Sequence, residues 1–180
     1  FSFSYGFVAA LLALILLAVS CTSTDKVDNF MTREQRAATT IASFKRSDPG
    51  LKHFFELAQG FAVFPKVLKA AMIAGGARGD GVVYEQGNVI GWSTLTQGSV
   101  GAQIGGQAYS EIVFFRDSEV LERFKAGHLE FDAQASAVFA TAGTSANADY
   151  AAGVAVFTMP SGGLMIEASI GGQHFSFEPK

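Results

Sequence analysis

Between Val100 and Phe114, apolar or small residues recur at every second position (Val100, Ala102, Ile104, Gly106, Ala108, Ile112, Phe114), with Gln103, Gln107, Tyr109 and Glu111 on the other parity. Side chains alternate across a pleated strand, so this period predicts a long β-strand with one buried and one polar face. The same period runs through Leu129, Phe131, Ala133, Ala135, Ala137 and Phe139, opposed by Glu130, Asp132, Gln134 and Ser136. Strands of this kind need neighbours to cover the apolar face, and a sheet is therefore the frame of the fold.

Helical signals come first in the chain. Thr32 and Gln35 form a capping-box pattern, and Phe30, Ala37, Ala38, Ile41 and Phe44 share one helical face, which predicts a helix from about Thr32 to Arg46. Asp48-Pro49-Gly50 breaks it, and Leu51, Phe54, Phe55 and Ala58 start a second helix that Gly60 ends. Strands are predicted at Phe61–Phe64 before Pro65 and, around a Gln86-Gly87-Asn88 turn, at Gly81–Tyr84 and Val89–Trp92. Asp117-Ser118-Glu119 opens a short helix, Val120 to Lys125, that Gly127 closes. Val154–Phe157, Pro160-Ser161-Gly162-Gly163 and Leu164–Ile170 read as a final hairpin. The expected fold is α+β: two N-terminal helices and a short mid-chain helix packed on a strongly bent, mainly antiparallel sheet that tends towards a barrel. Gly106 and Gly172 fall where period two expects an inward side chain, so the sheet is expected to bend there against a neighbouring backbone, and a Val at either position to collide.

Composition removes several classes. A single Cys excludes an internal disulfide and any Cys-rich metal site. Only 16% of residues are charged while 49% are hydrophobic, including 17 Phe, which rules out intrinsic disorder. The net charge of −3 argues against nucleic acid as a partner. That mean conceals an asymmetry, because residues 21–69 carry eight basic and five acidic side chains, and residues 70–180 carry five basic and eleven acidic ones. A cationic front suits an anionic phospholipid surface, where each Lys or Arg is worth about 1 kcal/mol.

Catalytic patterns are missing. The Gly-rich runs Gly75–Gly81 and Gly98–Gly101 lack the Lys-Ser/Thr of a phosphate loop and lead into strands. Neither a Gly-x-Ser-x-Gly nor a His-Glu-x-x-His pattern occurs. His128, Glu130 and Asp132 share a strand face, for which a solvated surface is the commoner explanation than a metal. The expectation is a non-enzyme with no cofactor and no metal.

Phe7 to Val19 form an uncharged apolar run too short to span a bilayer and about right for a signal-peptide core. Ala18-Val19-Ser20-Cys21 follows and resembles a bacterial lipobox, which makes Cys21 the expected lipidation site. The chain starts at Phe1 rather than Met, so the basic front of such a signal is expected upstream. The domain plan is then a signal peptide at 1–20, a lipidated tether at 21–30 and one domain at 31–180.

Several strings in this order carry a family resemblance: Phe61-Ala62-Val63-Phe64-Pro65-Lys66, Gly75-Gly76-Ala77-Arg78-Gly79-Asp80-Gly81-Val82, Thr96-Gln97-Gly98-Ser99-Val100-Gly101-Ala102-Gln103-Ile104-Gly105-Gly106, and Ala133-Gln134-Ala135-Ser136-Ala137. Together with Ser145-Ala146-Asn147-Ala148-Asp149 and Gly162-Gly163-Leu164-Met165, they make the chain after about residue 35 resemble the SYLF family. The resemblance implies a lipid-binding domain, with phosphoinositide binding in eukaryotic members, actin-filament binding in fungal ones, and exported lipoproteins among bacterial ones. It also implies lipid contact through a basic N-terminal segment, here residues 31–46 with Arg33, Arg36, Lys45 and Arg46, and it brings no catalytic residues. The expected function is a membrane-phospholipid-binding module, anchored at Cys21 and, since Thr22 follows the Cys in place of an Asp, on the periplasmic face of the outer membrane. The alternative is a protein-interaction or structural envelope module that meets lipid only through its anchor, its protein partner unknown.

Overall fold

A computed structural model of the chain describes residues 31–71, 74–100, 105–129, 137–162 and 172–180. The chain divides into two units, 1–36 and 37–180. In the first, the capping box read from sequence is formed: Thr32 N donates to Gln35 Oε1 at 2.8 Å and Gln35 N to Thr32 Oγ1 at 3.2 Å. It opens helix α1 (Arg33–Ser47). The remaining elements are α2 (Lys52–Leu57), β1 (Gly60–Ala71), β2 (Ala74–Glu85), β3 (Asn88–Val100), β4 (Gly105–Phe115), α3 (Ser118–Lys125), β5 (Val138–Phe139), β6 (Val154–Gly162) and β7 (Gln173–Pro179).

Among the described residues the strands form one seven-stranded sheet in the order β5-β6-β4-β1-β2-β3-β7. Every pairing is antiparallel except β5 with β6, so the sheet is mixed and the fold is α+β. Among the described residues its edges are β5 and β7, and it is not closed into a barrel. Gln86 and Gly87, at φ of +48° and +80°, make the two-residue turn between β2 and β3 that the right-handed twist of the strands favours.

Pro65 does not end its strand. β1 runs on to Ala71 in the middle of the sheet, and register shifts between Val63 and Lys66 towards β2, and between Phe64 and Val67 towards β4, absorb the missing N–H. Ser110 Oγ donates to the Pro65 carbonyl at 2.8 Å. At the other end, Pro160 to Gly162, predicted as a turn, continue β6, which lies against β4 and β5, while the chain's last strand, β7, pairs with β3. The predicted strand residues 164–170 are outside the described set.

Both faces of the sheet are covered where the strands are most apolar. On one face Ala37 and Phe44 of α1, Leu51, and Phe54 of α2 pack with Phe61, Val63, Val82, Tyr84, Ile112, Phe114 and Phe157. Phe114 lies at the middle of this layer, its ring centroid 4.9–5.9 Å from those of Phe54, Phe55, Phe61 and Phe157. On the other face Val120, Leu121 and Phe124 of α3 pack with Ala62, Phe64, Val83, Val113, Phe115 and Phe175. Asp117 caps α3 by accepting from Val120 N at 3.1 Å, and Gly127 leaves it at φ +71°. Each fully buried Phe is worth about 1.5–3 kcal/mol relative to an exposed one, so these two layers supply most of the driving force.

The one-buried-face reading of β4 is therefore corrected. Ile112 and Phe114 enter one layer while Tyr109, Val113 and Phe115 enter the other, which is the pattern of a strand covered on both sides. Residues 130–136 of the second alternating run lie outside the described set; at its ends His128 and Leu129 are not in a strand, and β5 spans only Val138–Phe139.

The two strand glycines are corrected as well. Among the described residues a Cβ at Gly106 would meet nothing nearer than the Lys69 carbonyl oxygen at 3.9 Å, so no described backbone crowds it. Gly172 precedes β7 with φ +73°, and its requirement is this left-handed backbone rather than a close neighbour.

Candidate functional site

α1 carries the four cations assigned to lipid. Arg33 stands at its first position and is exposed. Arg36 is half-buried, and its guanidinium donates to the Met31 carbonyl. Lys45 and Arg46 lie in the last turn, where the partial negative charge of the helix end favours them. Lys45 Nζ sits 4.4 Å from the centroid of the Phe55 ring, a cation–π contact on a half-buried aromatic. Arg46 donates to Ser43 Oγ at 2.9 Å. Among the described residues Arg33, Lys45 and Arg46 enter no ion pair with an acid, so each keeps its charge for an anionic surface. Cys21, the expected lipidation site, lies outside the described residues, as does the apolar run before it. Among the described residues no helix is long and apolar enough to cross a membrane.

After α1 the chain is held by Asp48, a carboxylate that is 1% exposed. It accepts from Gly50 N at 3.1 Å, Gly143 N at 3.3 Å, Thr144 Oγ1 at 3.1 Å and Ser145 N at 2.7 Å. Burial pushes its pKa up, but the hydrogen bonds from Ser145, Gly50 and Gly143 together outweigh that and hold it below the ordinary carboxylate value. Asp48 thus ties the 141–147 loop to the α1–α2 junction; read from sequence, it was only a helix breaker.

A second group that sequence reading missed lies on the α3 face of the sheet. Glu111 of β4 is fully buried and accepts from Gln173 Nε2 of β7 at 3.1 Å, across strands that are not neighbours in the sheet. Only a strongly curved sheet can bring those two side chains together. Thr158 stands opposite Glu111 in the β4–β6 register and Gln97 opposite Gln173 in the β3–β7 register, so a polar row crosses this face. Glu111 Oε1 and Thr158 Oγ1 are buried with no hydrogen-bond partner among the described residues. Burial pushes the Glu111 carboxyl up to about 8, with Gln173 pulling it back in part, so Glu111 is mainly neutral at pH 7. Burial, and then the neighbouring Glu111 charge, raise the Tyr109 hydroxyl as well, while the Gln173 amide lowers it slightly. A signal for this row was present in the sequence. Tyr109, Val113 and Phe115 share the parity of Glu111, and three large apolar neighbours on a supposedly solvated face mark that face as buried.

Among the described residues no group of three or more His, Cys, Asp or Glu is placed to hold a metal ion. His128 follows α3 and is exposed, while Glu130 and Asp132 lie outside the described set.

The same chain is similar to known proteins. Residues 96–180 match the family model Ysc84, described as Las17-binding protein actin regulator. Over 140 residues the chain is 24% identical to Beta cell expansion factor A of Aeromonas veronii, a match that takes in 77% of this chain and 53% of that protein. The chain thus spans about half the length of that curated relative. The matched segment contains the end of β3 from Thr96, then β4, α3, β5, β6 and β7, and so both partners of the Glu111–Gln173 bond. Residues 96–180 are thus similar to the SYLF (Ysc84) family, the family that the sequence strings resemble.

Proposed function

We propose that this protein is a non-enzymatic lipid-binding module of a bacterial envelope lipoprotein, anchored through Cys21 and drawn to anionic phospholipid by Arg33, Arg36, Lys45 and Arg46. The observation that carries the reading is the α1 surface: Arg33, Lys45 and Arg46 are exposed and free of acidic partners among the described residues, on a chain whose residues 96–180 match the Ysc84 family model. Lys45 is also pre-positioned, because the Phe55 ring holds its ammonium at the surface. The periplasmic face of the outer membrane is the proposed location, on the strength of Thr22 after the lipobox-like Cys21.

A second reading, a protein-docking envelope module, draws support from the Ysc84 family, described as Las17-binding protein actin regulator. Vesicle flotation separates the two. A soluble form that begins after Cys21 is expected to float with phosphatidylglycerol vesicles and not with pure phosphatidylcholine; absence from both would favour protein docking. The anchor has its own test, mass spectrometry of the mature amino terminus. The expected result is a diacylated Cys21, and a mature chain beginning elsewhere without acyl groups would contradict it.

A further inference from the structure

The Glu111–Gln173 hydrogen bond joins β4 to β7 across the α3 face, although among the described residues β7 is an edge strand whose ladder partner is β3. One carboxyl oxygen is satisfied by the Gln173 amide, while the other, Oε1, is buried with no partner among the described residues. A neutral carboxyl tolerates that arrangement. A carboxylate there would be a buried charge with a single hydrogen bond, whose cheapest relief is water admitted by moving the edge strand.

We propose that Glu111 and Gln173 form a proton-dependent latch that holds β7 over the α3 face of the sheet, and that loss of the Glu111 proton releases β7 before the rest of the sheet. Among the described residues Glu111 enters no ion pair. On β4 itself the near neighbour is Tyr109, whose hydroxyl is held protonated by burial and the Glu111 charge. On β6 and β3 the facing residues are Thr158 and Gln97, which do not titrate. On β1, Lys69 shares the parity of Val67 and is half-buried in register with Gln107, beyond Tyr109. On β2 the same face carries Ala77 and Val83. From α3 the packed residues are Val120, Leu121 and Phe124, and Lys125 is paired with Glu122. Glu130, Asp132 and Glu167 are outside the described set. Release of β7 would lift Phe175 from Phe64 and Phe124, whose ring centroids it meets at 5.7 and 5.3 Å, and so uncover apolar surface. This inference is independent of the lipid reading.

The test is amide exchange of the full chain, followed by mass spectrometry from pH 5 to pH 9, with each rate divided by the intrinsic rate at that pH. Because the closed form holds the Glu111 proton up to about 8 and the open form releases it near the ordinary carboxylate value, opening of Gln173–Pro179 should rise about tenfold per pH unit below that point and level off above it. The central parts of β1 and β2 should keep their protection. Glu111→Gln, which keeps the shape without the charge, should make β7 exchange independent of pH. A flat wild-type response, a pH response that survives in Glu111→Gln, or loss shared equally by β1 would overturn the proposal. Should Glu111→Gln fail to fold, an infrared titration of the wild type decides. A protonated-carboxyl band that vanishes in step with β7 protection supports the latch, and absence of that band at pH 6 overturns it.

Discussion

Single residues in this chain act through what surrounds them, as the glycines illustrate. Gly106 was expected to be crowded and is open among the described residues, whereas Gly81, in the same sheet, would place a Cβ 2.6 Å from Phe64 Cδ1 and 2.7 Å from the Val63 carbonyl oxygen. Period two distinguishes inward from outward positions but is blind to the height of the neighbouring strand, which is why the sequence named the wrong glycine. Gly106→Val should therefore change stability by no more than about 0.5 kcal/mol, as at an ordinary surface site. Gly81→Ala should cost about 1–3 kcal/mol through overpacking against β1. Denaturant melts of the two variants check the order, and a Gly106 variant less stable than the Gly81 one would contradict it. Glu111 illustrates the same dependence on surroundings, because its parity assigned it to a polar face that α3 and β7 in fact bury.

At the scale of elements, local signals were legible and distant pairings were not. The Thr32–Gln35 box, the Asp117 cap and the Gln86-Gly87 turn are each settled within four residues, and each stands where its residues place it. By contrast, β7 finds its partner in β3 across a sequence separation of about eighty residues, and nothing within Gln173–Pro179 announces that choice. Pro65 misled for the opposite reason: its local meaning, a strand end, is overridden by a bulge that two neighbouring strands accommodate. The packing of α1 and α2 on the sheet rests on the Phe114 ring cluster. Phe114→Ala should cost about 3–5 kcal/mol, the range for a large aromatic removed from a packed core. Thermal and urea unfolding measure this, and a loss below about 1 kcal/mol would mean that the helices are held by something other than this aromatic layer.

Across the whole molecule, two buried carboxyls set opposite pH limits. Asp48 has its pKa lowered in the fold, so the stability it supplies is complete above the ordinary unfolded value of about 3.9 and is lost as pH falls through the folded value. Glu111 has its pKa raised, so its favourable state is complete below its unfolded value and is lost as pH rises through about 8. The melting temperature should fall on acidification below about pH 4, and Asp48→Asn should flatten that acid limb without altering the alkaline one. An acid limb unchanged in Asp48→Asn would transfer it to other carboxylates. What the sequence disclosed at this scale was the α+β class and a family resemblance that the Ysc84 model repeats over residues 96–180; the mixed sheet and its polar row arise from contacts between strands far apart in the chain.

The functional account turns on whether the α1 cations attract a membrane. Sedimentation with phosphatidylglycerol vesicles, run over increasing salt for the wild type and for a variant with Arg33, Arg36, Lys45 and Arg46 all replaced by Gln, addresses this directly. At physiological salt the Debye length is about 8 Å, so attraction between exposed charges should decline steeply as salt rises above that level. With about 1 kcal/mol for each surface cation, the fourfold variant should bind at least tenfold more weakly at low salt, while its circular dichroism and melting temperature stay those of the wild type. A folded variant that sediments as well as the wild type at every salt concentration would contradict the account and move the lipid contact away from α1.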